Sequence, residues 1–253
     1  MMPFPSRPLV IAHRGGHYAD LPGEQTVAHF ERAVRLGVDF IEVDLRETAD
    51  GHIVCLHDPD HAGLPVAASR LDALVAASRA AGIPAPALLS ELVDIAGGRV
   101  GLDLEIKAEG FEERLVRTVA GLDPVIFKCF KDEVVRRLKD LAPGRTVGLL
   151  LGVGSPRLGP LTRMTELFPE VRTRRCGADF VSPHHRLVRF GFVARMRRLG
   201  LPVLAWTVNE PEIMAWALAN VSGVITDQPE ACLRMRVGQG HAGAVPEGVR
   251  TRG

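Results

Sequence analysis

The sequence has almost no net charge: 31 Lys and Arg residues against 30 Asp and Glu residues give a formal charge of +1 at pH 7. Proteins that bind nucleic acid use an excess of basic residues against the phosphate backbone, so the composition gives no reason to expect nucleic acid as a partner. An anionic small molecule would have to be held by a few local groups and not by the field of the whole protein.

Cysteine is scarce, and the four cysteines show no close pairing. No Cys/His spacing along the chain is typical of a zinc site. Most of these residues lie in or beside apolar runs, where a free thiol behaves as a small hydrophobic side chain. We therefore expect reduced, structural cysteines at all four positions: Cys55, Cys129, Cys176 and Cys232.

Long apolar runs are also missing, and none approaches the roughly 20 residues that a membrane-spanning helix needs. The segment Met1–Pro8 has no basic region followed by a long apolar stretch, so it does not resemble a signal peptide. These absences predict a cytoplasmic protein without a stable membrane anchor. The sequence carries no pattern that specifies an oligomeric state.

What the sequence does contain is an alternation of short apolar runs with longer amphipathic segments over 253 residues. Alternating strands and helices indicate a parallel sheet with crossover connections, and a closed α/β barrel needs about 250 residues. Eight units in this length favour a (β/α)8 TIM barrel of one domain, with a doubly wound open sheet as the alternative. The eight predicted strands lie near residues 10, 42, 103, 127, 148, 180, 204 and 225.

The domain boundaries follow from the same pattern. We assign residues 1–237 to the barrel and residues 238–253, which are rich in glycine and small or polar residues, to a flexible C-terminal tail. A short insertion follows the second strand and contains predicted helices at Leu71–Ala81 and Ser90–Ala96. Farther along the chain, Leu161–Arg172 is predicted to form a single helix.

Acidic residues stand near the ends of two predicted strands. Glu42 and Asp44 alternate with apolar residues in strand two, so both point to the same face of the strand, which must be the barrel interior because the outer face packs on helices. Glu105 repeats the pattern in strand three. Carboxylates in close proximity need a counter-charge, and oxygen ligands favour Mg²⁺, Ca²⁺ or Mn²⁺. The alternative is a buried ion-pair network with cations such as Arg14, Lys107 and Lys128.

Two histidines flank this acidic cluster in the sequence. His13 follows the first strand, and His57 ends the apolar run after the second. Histidine titrates near neutral pH, so one imidazole can accept a proton while the other donates one. Arg14 and Lys107 would supply the positive charge that a phosphoryl group needs.

Taken in order, these motifs resemble the glycerophosphodiester phosphodiesterase family. The resemblance runs over about Leu9 to Glu230, nearly the whole chain. It rests on a series of short motifs: His13-Arg14-Gly15, Pro22-Gly23-Glu24-Gln25-Thr26, Ile41-Glu42-Val43-Asp44-Leu45, Leu56-His57-Asp58-Pro59, Leu104-Glu105-Ile106-Lys107, Ala205-Trp206-Thr207-Val208-Asn209 and Gly223-Val224-Ile225-Thr226-Asp227-Gln228-Pro229.

The resemblance implies metal-dependent hydrolysis of a glycerophosphodiester, a small-molecule substrate, to glycerol 3-phosphate and an alcohol. A glycerol hydroxyl would attack phosphorus and water would open the resulting cyclic phosphate. The implied roles are acid/base catalysis for His13 and His57, ligation of Mg²⁺ or Ca²⁺ for Glu42, Asp44 and Glu105, and substrate binding for Arg14, Glu24, Lys107 and Trp206. For Trp206 the alternative is packing within the barrel.

The chain departs from the family pattern at three places. Gly23 intervenes and Gln25 replaces an asparagine after Pro22, and Cys129 stands where the family has serine. The segment 60–86, which usually shapes the substrate pocket, is short and rich in alanine. This last departure leaves open a related phosphodiesterase acting on lysophospholipids or another phosphodiester. A second alternative, of a different class, is a non-catalytic barrel that binds phosphorylated ligands, and the complete set of candidate catalytic and metal-binding residues argues against it.

Overall fold

The predicted apolar runs form eight parallel strands in a computed structural model, which describes residues 5, 7–152, 160–188 and 191–242. Their inward and outward side chains alternate, and both sets are almost completely buried. The strands are β1 (Leu9–Ala12), β2 (Phe40–Glu47), β3 (Gly101–Ile106), β4 (Val125–Cys129), β5 (Thr146–Leu151), β6 (Phe180–Pro183), β7 (Leu204–Ala205) and β8 (Gly223–Thr226).

The strand order in the sheet is β6–β5–β4–β3–β2–β1–β8–β7. Two parallel bridges, Val181 with Val203 and His184 with Trp206, join the two ends of this order, so that β6 and β7 are neighbours. The strands therefore form a ring, and the predicted (β/α)8 barrel of a single domain is confirmed.

Helices follow the strands and cover the outside of the ring. The apolar faces of most of them pack on the outward side chains of the strands in one large core, whereas the helix Leu71–Ala81 in the insertion contributes Leu74 to a separate cluster with Val54 and Val66. They are α1 (Val27–Leu36), α2 (Leu71–Ala81), α3 (Leu89–Ala96), α4 (Glu112–Thr118), α5 (Asp132–Leu141), α6 (Pro160–Leu167), α7 (Glu170–Cys176), α8 (Phe192–Arg198), α9 (Pro211–Asn220) and α10 (Pro229–Ala242).

The prediction of a single helix over Leu161–Arg172 is wrong, because the structure has two helices there. They are separated at Phe168 and Pro169. Proline has no N–H to donate to the preceding turn, and it disfavours helical geometry at the residue before it. At the C-terminus, α10 continues through Ala242, beyond the predicted domain boundary at residue 238, and residues 243–253 of the predicted tail lie outside the described residues.

The insertion after the second strand is present as predicted. A return strand, Ile53–Cys55, pairs antiparallel with β2 and with the short strand Ala87–Leu88. Between these two strands the chain forms a small hairpin of Asp60–His61 with Leu64–Pro65, and then α2. The insertion therefore stands at the carboxyl end of β2, on the face of the barrel where the polar residues gather.

The amino end of the barrel interior is filled by apolar side chains, which we call the apolar plug. Gly148 makes room for it, because a Cβ atom at this position would meet the ring of Phe180 at 2.2 Å. The plug leaves the carboxyl ends of the strands as the open side of the interior. Its members are Leu9, Ile11, Phe40, Ile126, Phe180, Leu204 and Ile225.

Two further expectations concern the whole chain. All four cysteines are free and buried, in agreement with the prediction. Among the described residues, no helix has the length and apolar character needed to cross a membrane.

Candidate active site

An acidic cluster lies inside the barrel, directly above the apolar plug. In the register of β2 with β3, Glu42 lies beside Asp103 and Asp44 beside Glu105. One carboxylate oxygen from each of Glu42, Asp44 and Glu105 lies within 4.8 Å of the others, and all three residues are buried. These side chains therefore point into the barrel as predicted, and the carboxylates of the three predicted metal ligands lie close together there.

Two lysines face the acidic cluster from neighbouring strands. Lys107 Nζ lies 2.9 Å from Asp44 Oδ1 and also contacts Glu105. Lys128 Nζ lies 3.1 Å from Glu42 Oε1 and 2.8 Å from Asp103 Oδ2. The ion-pair network that was the alternative to a metal site is therefore present around the same carboxylates.

Burial and the lysines act in opposite directions on the pKa values of these carboxyls. Burial opposes ionisation of Asp44, but Lys107 and Arg14 outweigh it and hold the pKa of Asp44 below its ordinary value. For Glu105, burial dominates over the nearby Lys107 and raises the pKa to about 7. Burial likewise raises the pKa of Asp103 to about 6 despite its contact with Lys128. The network thus stabilises the ionised form of Asp44 more than the ionised forms of Asp103 and Glu105.

The donor set fits a hard divalent cation. All three converging groups are carboxylates, which Mg²⁺ and Ca²⁺ prefer as ligands. Glu105 Oε1 is paired with the ammonium of Lys107, which offsets part of the negative charge of the three carboxylates. The residues present can therefore hold a metal ion, with the lysines balancing the remaining charge.

His13 occupies the turn directly after β1, where its ring is held by a neighbour from the other end of the chain. Its Nδ1 atom lies 2.5 Å from Asp227 Oδ1, and its Nε2 atom lies 3.9 Å from Glu42 Oε2. Asn209 donates from Nδ2 to the other oxygen of Asp227 at 2.6 Å. Burial lowers the pKa of His13, but Asp227 and Glu42 outweigh it, so the pKa is raised. Sequence reasoning placed Asp227 at this end of the barrel and gave it no role.

His57 is held in the same manner but stands in a more open position. Its Nδ1 atom lies 2.8 Å from Asp58 Oδ1, and its side chain is 42% exposed. The guanidinium of Arg46 donates two hydrogen bonds to the main-chain oxygen of His57, at 2.7 and 3.0 Å. Because carboxylates accept, each histidine keeps its proton on Nδ1 and directs Nε2 away from the supporting carboxylate.

The loop after β1 supplies two further groups to the acidic cluster. Arg14, with a φ of 54°, donates its main-chain N–H to Glu42 Oε2 at 3.1 Å. Its guanidinium reaches Asp44 Oδ2 at 2.9 Å and both oxygens of Glu24 at 2.7 and 2.8 Å. Gln25 donates to Asp44 Oδ2 at 3.1 Å and accepts from the Asp44 main-chain N–H at 2.7 Å. The glutamine that departs from the family pattern thus holds Asp44 at two points.

Trp206 stands at the carboxyl end of β7, on the opposite side of the barrel mouth. Its indole N–H donates to the Ser182 main-chain oxygen at 2.8 Å. Phe130 and His184 meet the ring edge-on, with centroids at 5.9 and 5.1 Å. Trp206 therefore packs against its neighbours and also borders the open end of the barrel.

Cys129, at the end of β4, stands where the family has serine. Its thiol donates to the Ile106 main-chain oxygen, and burial raises the pKa of the thiol to about 11. A thiol that stays protonated at neutral pH is a poor nucleophile, so we assign Cys129 no catalytic role.

Two cavities lie near these residues. One of about 360 Å³ is bounded by segment 22–26, by residues of segment 55–61 including His57, and by segment 82–86. A larger one, of about 580 Å³, lies between α8 and α9 on the outside of the barrel and has none of the predicted site residues in its lining. The smaller cavity lies next to the acidic cluster, because Gln25 in its wall is bonded to Asp44. We therefore take it as part of the site.

The fold and the site together define a (β/α)8-barrel enzyme whose charged groups meet at the carboxyl ends of the strands. The sequence matches the Glycerophosphoryl diester phosphodiesterase family over residues 13–83 and 101–231. A glycerophosphodiester phosphodiesterase of Caldanaerobacter subterraneus subsp. tengcongensis is 30% identical over 251 residues, which cover 90% of this chain and 97% of that protein.

Solved structures show the same fold. A glycerophosphodiester phosphodiesterase from Parabacteroides distasonis has a TM-score of 0.76 at 21% identity and covers 92% of this chain and 98% of its own. A phosphodiesterase from Oleispira antarctica, in complex with the product sn-glycerol-3-phosphate, has a TM-score of 0.74 at 21% identity and covers 90% and 96%.

The chain belongs to the glycerophosphoryl diester phosphodiesterase family. The resemblance seen in its motifs is confirmed, and so is the prediction of an enzyme of the phosphoric diester hydrolase class.

Proposed function

We propose that this enzyme hydrolyses glycerophosphodiesters to glycerol 3-phosphate and an alcohol, with His13 and His57 as the acid/base pair. The observation that carries the proposal is the matched support of the two imidazoles. Each has a carboxylate on Nδ1, Asp227 for His13 and Asp58 for His57, and His13 Nε2 faces the acidic cluster. Two imidazoles held in this way can transfer protons on either side of a bound phosphodiester.

Glu42, Asp44 and Glu105 are the groups that would hold a divalent cation, Mg²⁺ or Ca²⁺. When bound, such a cation stabilises negative charge on phosphoryl oxygens and lowers the pKa of a coordinated hydroxyl. The role of the protein around it is to fix the carboxylates: Gln25 and Arg14 hold Asp44, and Lys128 holds Glu42.

The histidines would supply the proton transfers in two steps. In the first, Nε2 of one histidine accepts the proton of a glycerol hydroxyl as its oxygen bonds to phosphorus. The other histidine donates its proton to the leaving alcohol oxygen as the phosphorus–oxygen bond breaks. In the second step the roles reverse: water adds to the cyclic phosphate, one histidine takes the water proton and the other protonates the ring oxygen that leaves. The product is glycerol 3-phosphate, and both histidines return to their starting states.

The remaining predicted residues would position the substrate. Arg14 and Lys107 carry positive charge at the edge of the acidic cluster, where a phosphoryl group would lie. Glu24, which is half exposed and paired with Arg14, would accept hydrogen bonds from glycerol hydroxyls. Trp206 would form an apolar wall for the glycerol carbons.

A panel of substrates tests the proposal: glycerophosphocholine, glycerophosphoethanolamine, glycerophosphoglycerol, glycerophosphoinositol and lysophosphatidylcholine, with release of glycerol 3-phosphate measured for the first four. We expect turnover of the water-soluble diesters. Turnover of the lysophospholipid alone would replace the proposal by a lysophospholipid phosphodiesterase. Binding of phosphorylated ligands without any turnover would indicate a non-catalytic barrel.

A further inference from the structure

We propose that the cavity of about 360 Å³ beside His57 receives the leaving alcohol of the substrate and prefers an alcohol that carries a positive charge, such as an amino alcohol. This inference rests on the proposed function, and it names the substrate class within it. The position of the cavity is the first argument. His57 lies in its wall, and so does Gln25, whose side chain is bonded to Asp44 of the acidic cluster.

The charge of the lining is the second argument. Three carboxylates line the cavity, Glu24, Asp58 and Asp60, and within the described part of the chain no lysine or arginine does. Arg14 offsets the charge of Glu24 from outside the cavity. Arg46, also outside the cavity lining, acts on Asp58 and Asp60, and Asp58 is further bonded to His57 Nδ1. The side chain of Asp60 makes no hydrogen bond or ion pair with another described residue, so its charge is the least compensated of the three. A concave surface lined by one sign of charge focuses its field on a bound group, so the cavity attracts a cation.

The apolar part of the lining is the third argument. Leu56, Ile83 and the prolines at positions 22, 84 and 86 form the apolar part of the wall, and Ile83 is 43% exposed. The polar side chains of Gln25, Thr26, His57 and His61 also line the cavity. Aliphatic carbon next to carboxylates complements a small alcohol with a carbon body and an ammonium group. A polyol would have to give up hydrogen bonds to water where it meets the aliphatic part of the wall, and leaving a hydroxyl unpaired is costly.

The segment that forms this wall belongs to the insertion, which differs most from the family pattern. Asp60 lies in its hairpin, and segment 82–86 connects α2 to the strand Ala87–Leu88. Both ends of the short segment 60–86 therefore meet at the same cavity. This gives the shortened segment a role: it places a carboxylate and an apolar rim beside His57.

The experiment compares kcat/KM for two substrates whose leaving alcohol carries a positive charge, glycerophosphocholine and glycerophosphoethanolamine, with kcat/KM for glycerophosphoglycerol and glycerophosphoinositol, whose leaving alcohols are uncharged. We expect the wild-type enzyme to favour the pair with cationic leaving alcohols by about tenfold, which corresponds to about 1.4 kcal/mol. The preference should weaken as ionic strength rises, because the cavity is open to solvent.

Two variants test whether Asp60 determines the preference for a cationic leaving alcohol. Asp60→Asn should reduce the ratio of kcat/KM between substrates with a cationic and with an uncharged leaving alcohol severalfold, and Asp60→Lys should reverse the preference. Asp140→Asn is the matched control, because Asp140 is an exposed aspartate near the C-terminus of α5, outside the cavity lining. This control should keep the wild-type ratio. Circular dichroism of each variant verifies the fold.

The outcomes separate this inference from the proposed function. Hydrolysis of all four diesters with equal efficiency would overturn the inference and leave the function standing. So would an unchanged ratio in Asp60→Lys. Failure to hydrolyse any of the four would overturn the proposed function, and the inference with it.

Discussion

The Nδ1 atom of His13 lies 2.5 Å from Oδ1 of Asp227, although 214 positions separate the two residues in the chain. The contact exists because β1 pairs with β8 in a register that places Ala12 beside Thr226, so the next residue of each strand meets its counterpart. Asn209 holds the second oxygen of Asp227. Asn209 thus fixes the orientation of the Asp227 carboxylate, and this carboxylate in turn fixes the ring of His13.

Asp227→Asn should lower kcat/KM by roughly 10²-fold to 10⁴-fold, the range over which a positioned acid or base contributes. The asparagine has nearly the same size, but it removes the charge that raises the pKa of His13. Burial and Arg14, which lower this pKa, would then be opposed only by Glu42, so the pKa of His13 should fall. NMR titration of the His13 ring and the pH profile of kcat/KM both measure this shift to lower pH. If neither the pH profile of kcat/KM nor the NMR titration of the His13 ring shifted in the variant, Asp227 would have no effect on the pKa of His13.

His13→Ala and His57→Ala should each reduce turnover to background while the barrel stays folded. Each removes a group that transfers a proton, a loss of at least roughly 10²-fold. The His57 ring is 42% exposed, so its removal should leave thermal unfolding nearly unchanged. His52→Ala is the control, since this ring is 49% exposed and lies 3.8 Å from an aspartate, Asp50, outside the site. Full activity of either site variant would exclude that histidine from the mechanism.

Removal of divalent metal with EDTA should abolish activity, and addition of Mg²⁺ or Ca²⁺ should restore it. Metal binding to the folded state alone also raises the unfolding temperature with increasing metal concentration, which gives a readout without substrate. Asp44→Asn should lose this stabilisation because it removes one of the three converging carboxylates. Glu109→Gln, at an exposed carboxylate paired with Lys131, should retain it. Activity that is indifferent to EDTA would contradict the assignment of Glu42, Asp44 and Glu105.

Lys128→Met should destabilise the metal-free protein by about 3–5 kcal/mol, the usual cost of removing one partner of a buried ion pair. Lys128 is 1% exposed, and its ammonium balances two buried carboxylates, Glu42 and Asp103. Lys131→Met breaks an exposed ion pair and should cost less than about 1 kcal/mol. Urea unfolding in EDTA measures both values. Equal unfolding midpoints for the two variants would mean that the buried network contributes no more than a surface pair.

The strand pattern was enough to predict the ring and the direction of the acidic side chains. Glu42 and Asp44 alternate with residues that must pack on helices, and this leaves them only the interior. The His13–Asp227 contact also had a signal in the sequence: each residue directly follows its strand, and the first and last strands of a closed barrel are neighbours. Combining the two facts would have found it.

Other contacts could not be predicted, because they depend on loop conformation. Gln25 reaches Asp44 from a backbone position with a φ of 53°, which no strand or helix pattern specifies. The cavity beside His57 likewise depends on where the hairpin at Asp60 folds back. The break before α7 was different, since Pro169 was visible in the sequence and outweighs the apolar periodicity around it.

The apolar plug closes the amino end of the barrel interior with buried side chains. In the described part of the chain, a ligand that enters at the carboxyl ends of the strands therefore has to leave on the same side. A phosphorylated product that lingers among Arg14 and Lys107 therefore stands in the path of the next substrate. Departure of this product, and not only bond cleavage, would then set how soon the enzyme is free to act again.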